Sequence, residues 1–153
     1  MIIDSSLEMC DATAAALNTG DGITKVGNAV DIHPLFSDNA TVDLSAGEQL
    51  YLVIEVTTLF AGGTNASYKI DLTTSTEAAL SGGTTANIWT TGSLTMASWT
   101  AGTRYIVSLP EADYHRYLGL RGTAGTANVT SGNINAFITK DVSNWTSTNT
   151  RTG

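Results

Sequence analysis

The chain has very little with which to do chemistry. Cys10 is the only cysteine in 153 residues, so neither an internal disulfide nor a cysteine-based metal cluster can be built. Histidine occurs twice, as His33 and His115. A hydrolytic triad needs an imidazole set between a nucleophile and an orienting carboxylate. His33 precedes Pro34, which holds it extended, and His115 lies in EADYHRYL with no nucleophile-elbow pattern around it. The patterns H-x-H, H-E-x-x-H, C-x-x-C and the phosphate-cradling glycine loop are all missing. The expectation is a protein that is not an enzyme and holds no metal or cofactor.

Charge is scarce too. Charged residues make up 14% of the chain, against roughly 25% in ordinary soluble domains. Only seven are basic, and the net charge is −7, which argues against binding nucleic acid or an anionic membrane through bulk electrostatics. No apolar run approaches the roughly 18 residues of a membrane-spanning helix. The opening MIIDSSLEMCD has neither a basic n-region nor an apolar h-region, so a secretory signal is not expected and synthesis in a cytoplasm is.

What replaces the missing charge is Thr, Ser, Asn and Gly. Thr alone occurs 25 times, and its branched Cβ suits pleated strands better than helices. A surface of hydroxyls and amides is wettable yet weakly repulsive, as suits a protein packed against neighbours. The acids are uneven: residues 1–60 carry nine against Lys25 alone, while residues 61–153 carry five against six bases.

Strands announce themselves by period-two alternation. Leu52, Ile54 and Val56 share one face of YLVIEV, with Tyr51, Val53 and Glu55 on the other. In YKIDLT the inward set is Tyr68, Ile70 and Leu72, and the outward set Lys69, Asp71 and Thr73. Tyr105, Val107 and Leu109 alternate likewise, as do Leu118 and Leu120, and Ile134, Ala136 and Ile138. Strands are therefore predicted over 50–58, 67–74, 104–109, 116–121 and 133–140. Glycine-bearing turns separate them, among them Thr19–Gly22, Ala61–Gly63, Ser81–Gly83 and Ser131–Asn133. Many short strands without βαβ alternation imply an all-β antiparallel sandwich or barrel.

Three stretches read less plainly. Asp11–Leu17 is Ala-rich with Asp11 placed like an N-cap, and fits either a helix or an irregular strand. The Gly/Ser/Thr-rich residues 81–103 suggest a long loop or irregular strand pair anchored by Ile88, Trp89, Leu94, Met96 and Trp99. The tail SNWTSTNTRTG is polar apart from Trp145 and looks like an arm. Tyr68 and Tyr105 share faces with aliphatic residues and read as core. Trp89, Trp99 and Trp145 stand in polar surroundings, open to use as interface anchors, core-edge residues or a sugar platform.

Several segments, taken in order, resemble the jelly-roll capsid cement proteins of tailed phages, a type first recognised in a Bordetella podophage. They are Met1–Asp4, Gly47–Ile54, Leu72–Thr76, Ala101–Arg104, Leu109–Pro110, Arg116–Leu120 and Ser131–Asp141. Residues 11–45 depart from that pattern, and the tail beyond Asp141 is longer than it suggests.

The resemblance implies one jelly-roll domain over 1–153, with an N-terminal arm of about residues 1–6 and a C-terminal arm of about 142–153. It further implies a homotrimer on the outer surface of the phage capsid, a virion protein clamping neighbouring major capsid protein subunits. Negative charge agrees, since packaged DNA would repel this chain from the inside. Ile2, Ile3 and Trp145 are the candidate oligomer or capsid contacts, because apolar side chains on arms call for a partner to bury them. Ile2 and Ile3 also fit a first strand of the same monomer. Other readings are a carbohydrate-binding β-sandwich module or another phage fibre, tail or head-completion component.

Overall fold

A computed structural model describes residues 7–14, 23–32, 44, 47 and 49–143. Within them run β1 (Glu8–Ala14), β2 (Ile23–Asp31), β3 (Tyr51–Gly62), β4 (Ser67–Ser75) and β5 (Thr85–Thr90). Then follow the short β6 (Leu94–Thr95), a 3-10 turn at Met96–Ser98, β7 (Arg104–Ser108), β8 (Tyr117–Gly125) and β9 (Val129–Thr139). All five predicted strands are present.

The alternation forms two faces, and burial of one face brings two sheets together. One sheet has the order β1-β9-β3-β7; the other has β2-β8-β4-β5, with β6 added beside β4. Every pairing is antiparallel. Apart from β4 to β5 and the small β6, each step along the chain crosses from one sheet to the other. That order is a jelly roll, a sandwich of a four-stranded and a five-stranded antiparallel sheet in which β6 is the extra strand.

Between the sheets lie the residues that the period-two pattern pointed inward. Leu52, Ile54 and Val56 meet Tyr68, Ile70, Leu72, Leu118, Leu120, Ile134, Ala136 and Ile138 in one cluster. Burying each large aliphatic member is worth about 1.5–3 kcal/mol. Trp99, by contrast, is no interface anchor: it is wholly enclosed. Its ring stacks on Phe60 at 5.2 Å and meets Tyr105 at 5.3 Å and the edge of Tyr68 at 5.9 Å. Met96–Ser98 turns the chain inward, Trp99 N donates to Met96 O, and Phe60 N donates to Trp99 O, tying the loop to β3. The small polar neighbours of Trp99 lie outside the cluster, which is why no periodicity betrays it.

Some outward-facing positions are buried as well. Val53 is fully enclosed between its cross-strand neighbours Ile106 and Phe137. Asp71 is buried and held by Lys69 Nζ at 2.9 Å, and the buried Thr73 donates to Asn87 Oδ1 at 2.9 Å. In the middle of a sheet, neighbours on both sides close over a short side chain.

Residues 11–14 belong to a strand, so the helical alternative for that stretch falls. Ala12 has φ 43° and its N–H donates to Asn135 Oδ1 at 2.6 Å. The register against β9 shifts on both sides of Cys10. Irregular β1 then leads to β2, whose own register shifts between Val26 and Val30. There Gly27, at φ +68°, lies against Met9 and Cys10, where a Cβ has no room. Close approach of β1 to β2 closes one side of the sandwich.

Candidate interaction surface

Among the described residues, Cys10 and His115 lie on separate elements. Cys10 is buried, and burial first, then the nearby Glu8 carboxylate, pushes its thiol up to about 12. A neutral, enclosed thiol is a poor nucleophile. His115 lies in the connection from β7 to β8, where its main-chain N–H donates to Thr74 Oγ1 at 2.7 Å. Its buried Nδ1 has no hydrogen-bond partner. Among the described residues no group of three or more His, Cys, Asp or Glu could hold a metal ion. His33, Ile2, Ile3 and Trp145 lie outside the described residues.

Surface chemistry is concentrated on the outer face of the β2-β8-β4-β5 sheet. Cross-strand register sets Lys25, Arg121, Asp71 and Thr90 in one row, with Lys69 two residues from Asp71 on β4. Three cations around one carboxylate make this face locally basic on an acidic chain. Beside it, Lys69, Asp71, Asn87, Ile88, Trp89, Thr90 and Gly92 line a shallow groove of about 320 Å³. At the far end Arg116 pairs with Asp31 at 3.1 Å and its guanidinium lies over the Tyr117 ring at 5.1 Å.

The three tryptophans thus part company. Trp99 is core, Trp89 is a half-buried core-edge residue that also lines the groove, and Trp145 lies outside the described residues. Among the described residues, Ile23 and Leu59 are the large hydrophobics left exposed, at 54% and 52%. The alternation pattern could not single them out, since exposure depends on which strands fold over them.

The sheet edges differ in a way that the sequence does not announce. Registers involving edge strands β1, β2 and β5 are each interrupted. Edge strand β7 pairs with β3 without a break, from Tyr51 opposite Ser108 to Glu55 opposite Arg104.

Set against known proteins, residues 11–138 match the model of the Bbp16 family, which is named for a Bordetella phage protein. The chain belongs to the Bbp16 family. No curated protein matches it. The Bbp16 match begins at residue 11 and runs through the acidic segment, so residues 11–45, where the sequence departs from the cement-protein pattern, are within the family's compass after all. On the structure the Bbp16 region extends from β1 almost to the end of β9, taking in both sheets, the groove and the β7 edge. A phage protein with a β-sandwich fold is what family and structure jointly support.

Proposed function

We propose that the chain is a capsid cement protein: a non-enzymatic virion component that binds the outer surface of a phage head as a homotrimer and bridges major capsid protein subunits. The observation that carries this reading is the Bbp16 match lying across a complete jelly roll. The physics supports it. Packaged DNA pushes the shell outward, and a bridging protein adds buried area where subunits would peel apart. Many copies on one shell turn modest contacts into firm retention. Net charge −7 favours the side of the shell away from DNA.

Co-sedimentation with purified expanded capsids tests the proposal. The protein should pellet with capsids at saturable occupancy and remain in the supernatant without them. Deleting residues 1–3, or Trp145→Ala, should lower that occupancy while the melting temperature of the free protein stays unchanged. Failure of the unmodified protein to bind any capsid form would overturn the reading.

One observation favours a second reading, a sugar-binding module. Trp89, half-buried and packed against the core, shares the groove's lining with Asp71, Asn87 and Thr90, and a ring among polar groups is the kind of mixture that suits a saccharide. Retention on a glycan array, lost in Trp89→Ala, would mark that role.

A further inference from the structure

We propose that the groove between β4 and β5 is a binding site for an acidic saccharide, held through the carboxylate of a uronic-acid-type ring. The proposal rests on the sugar-binding reading above and names the class of sugar. It starts from a break in the strand pairing. Leu72 stands opposite Trp89 and Thr73 opposite Asn87, so Ile88 is an extra residue on β5. Such a bulge bends its strand and re-aims the side chains around it. Ile88 and Trp89 supply the apolar lining of the groove, and Lys69, Asp71, Asn87 and Thr90 line it with polar groups.

Those polar groups satisfy their acceptors among themselves and keep donors to offer. Asp71 is buried, and its carboxylate is held by Lys69 Nζ at 2.9 Å. Asn87 Oδ1 accepts from Thr73 Oγ1 at 2.9 Å, which fixes the amide and leaves the NH₂ of this exposed residue to donate. Thr90 Oγ1 accepts from Gly92 N at 3.0 Å, and its own hydroxyl hydrogen remains. The Lys69 side chain is 33% exposed and has N–H groups beyond the one turned to Asp71. A lining of this kind suits a ligand rich in acceptors.

Charge narrows acceptor to anion. Lys69 neutralises Asp71, whereas Arg121, opposite Asp71 on β8, has no ion-pair partner among the described residues. Lys25, next in the row, donates to the carbonyl of Ala78 at 3.4 Å, which leaves its charge uncompensated. The whole chain carries −7. At physiological salt, however, the screening length is about 8 Å, so the nearest charges govern a ligand in the groove. Hydrogen bonds from donors to a carboxylate are also stronger than those to a neutral oxygen. The volume of about 320 Å³ lies at the small end of ligand pockets, roughly 300–1,000 Å³, and suits one sugar ring. Ile88 and Trp89 offer apolar surface to the ring's C–H groups.

Titrating the full-length, isotope-labelled protein with glucuronate and with glucose tests the proposal by NMR. The two rings differ by a carboxylate in place of a hydroxymethyl group. Glucuronate should bind about tenfold more tightly or better, as expected for hydrogen bonds to a charged group. It should shift the side-chain signals of Asn87 and Trp89 and weaken as salt is raised. Asn87→Asp keeps an acceptor for Thr73 but replaces the donor amide with a second carboxylate, and should lower glucuronate affinity about tenfold with the melting temperature retained. Arg121→Gln should weaken glucuronate and leave glucose unchanged, and it decides the matter if Asn87→Asp fails to fold. Equal affinity for the two sugars overturns the acidic ligand but leaves the sugar-binding reading standing; binding of neither overturns both. Acetate binding as tightly as glucuronate overturns the saccharide assignment, because a bare carboxylate then suffices. Glucuronate binding that ignores both substitutions lies elsewhere on the protein and overturns the site.

Discussion

The phenol ring of Tyr68 occupies the space into which any side chain at residue 122 would project, so β4 and β8 fit together because position 122 is glycine. Tyr68 is fully buried, and its hydroxyl has no hydrogen-bond partner. Relief and clash at this contact are two sides of the same atom.

Gly122→Ala should therefore destabilise the protein by about 1–3 kcal/mol, the usual cost of forcing extra volume into a packed core. Tyr68→Phe removes an unpaired buried hydroxyl and should be neutral or stabilising. The double variant should lose less than Gly122→Ala alone. Urea denaturation of the four proteins measures the coupling; simple additivity would refute it.

Arg104 grips Glu55 across the β3–β7 pair, with Nε and one terminal nitrogen both donating to Oε1 at 2.9 and 2.8 Å. Both side chains are partly exposed, so solvent screens the attraction. Glu55→Gln should cost less than about 1 kcal/mol, and the difference should shrink in 1 M salt, where the screening length is about 3 Å. A salt-independent loss would point to packing instead.

The Cys10 thiol stays protonated in the folded protein up to about 12, against 9.0 for a free thiol. Burial and the nearby Cys10 also raise Tyr68. Because the folded state keeps its thiol proton longer, the unfolded state ionises first. This stabilisation is whole below pH 9 and is lost as pH rises through about 12. Cys10→Ala should flatten that alkaline fall in stability. Iodoacetamide at pH 8 should leave native Cys10 unmodified and label it on denaturation.

Trp99→Ala should cost about 3–5 kcal/mol, as for other large aromatic truncations in cores. Trp99→Phe keeps most of the contacts with Phe60, Tyr68 and Tyr105 and should cost far less. Thermal melts distinguish this from a surface role, for which both changes would be near neutral.

The jelly roll was legible where alternation is regular. The segments around Ile54, Ile70, Val107, Leu120 and Ala136 appear as β3, β4, β7, β8 and β9. Their ends were not. β3 runs on to Gly62 and β9 starts back at Val129, because these two strands keep pairing past the alternating stretch. The strand at Ile23–Asp31 went unpredicted, since Gly27 and polar neighbours break its pattern. Bulged β1 looked as much like a helix as a strand for the same reason.

From residues alone came the strand periodicity, the poverty of catalytic groups and the acidic balance, because each is a property of local sequence or of a sum over it. Which strand stands at an edge, which tryptophan lies in the core and which carboxylate is covered came from the tertiary structure alone. Those depend on contacts between residues far apart in the chain: Phe60 with Trp99, Tyr68 with Gly122, Cys10 with Val26. A local pattern tells a strand which face to bury; only its neighbours decide what lies against each side.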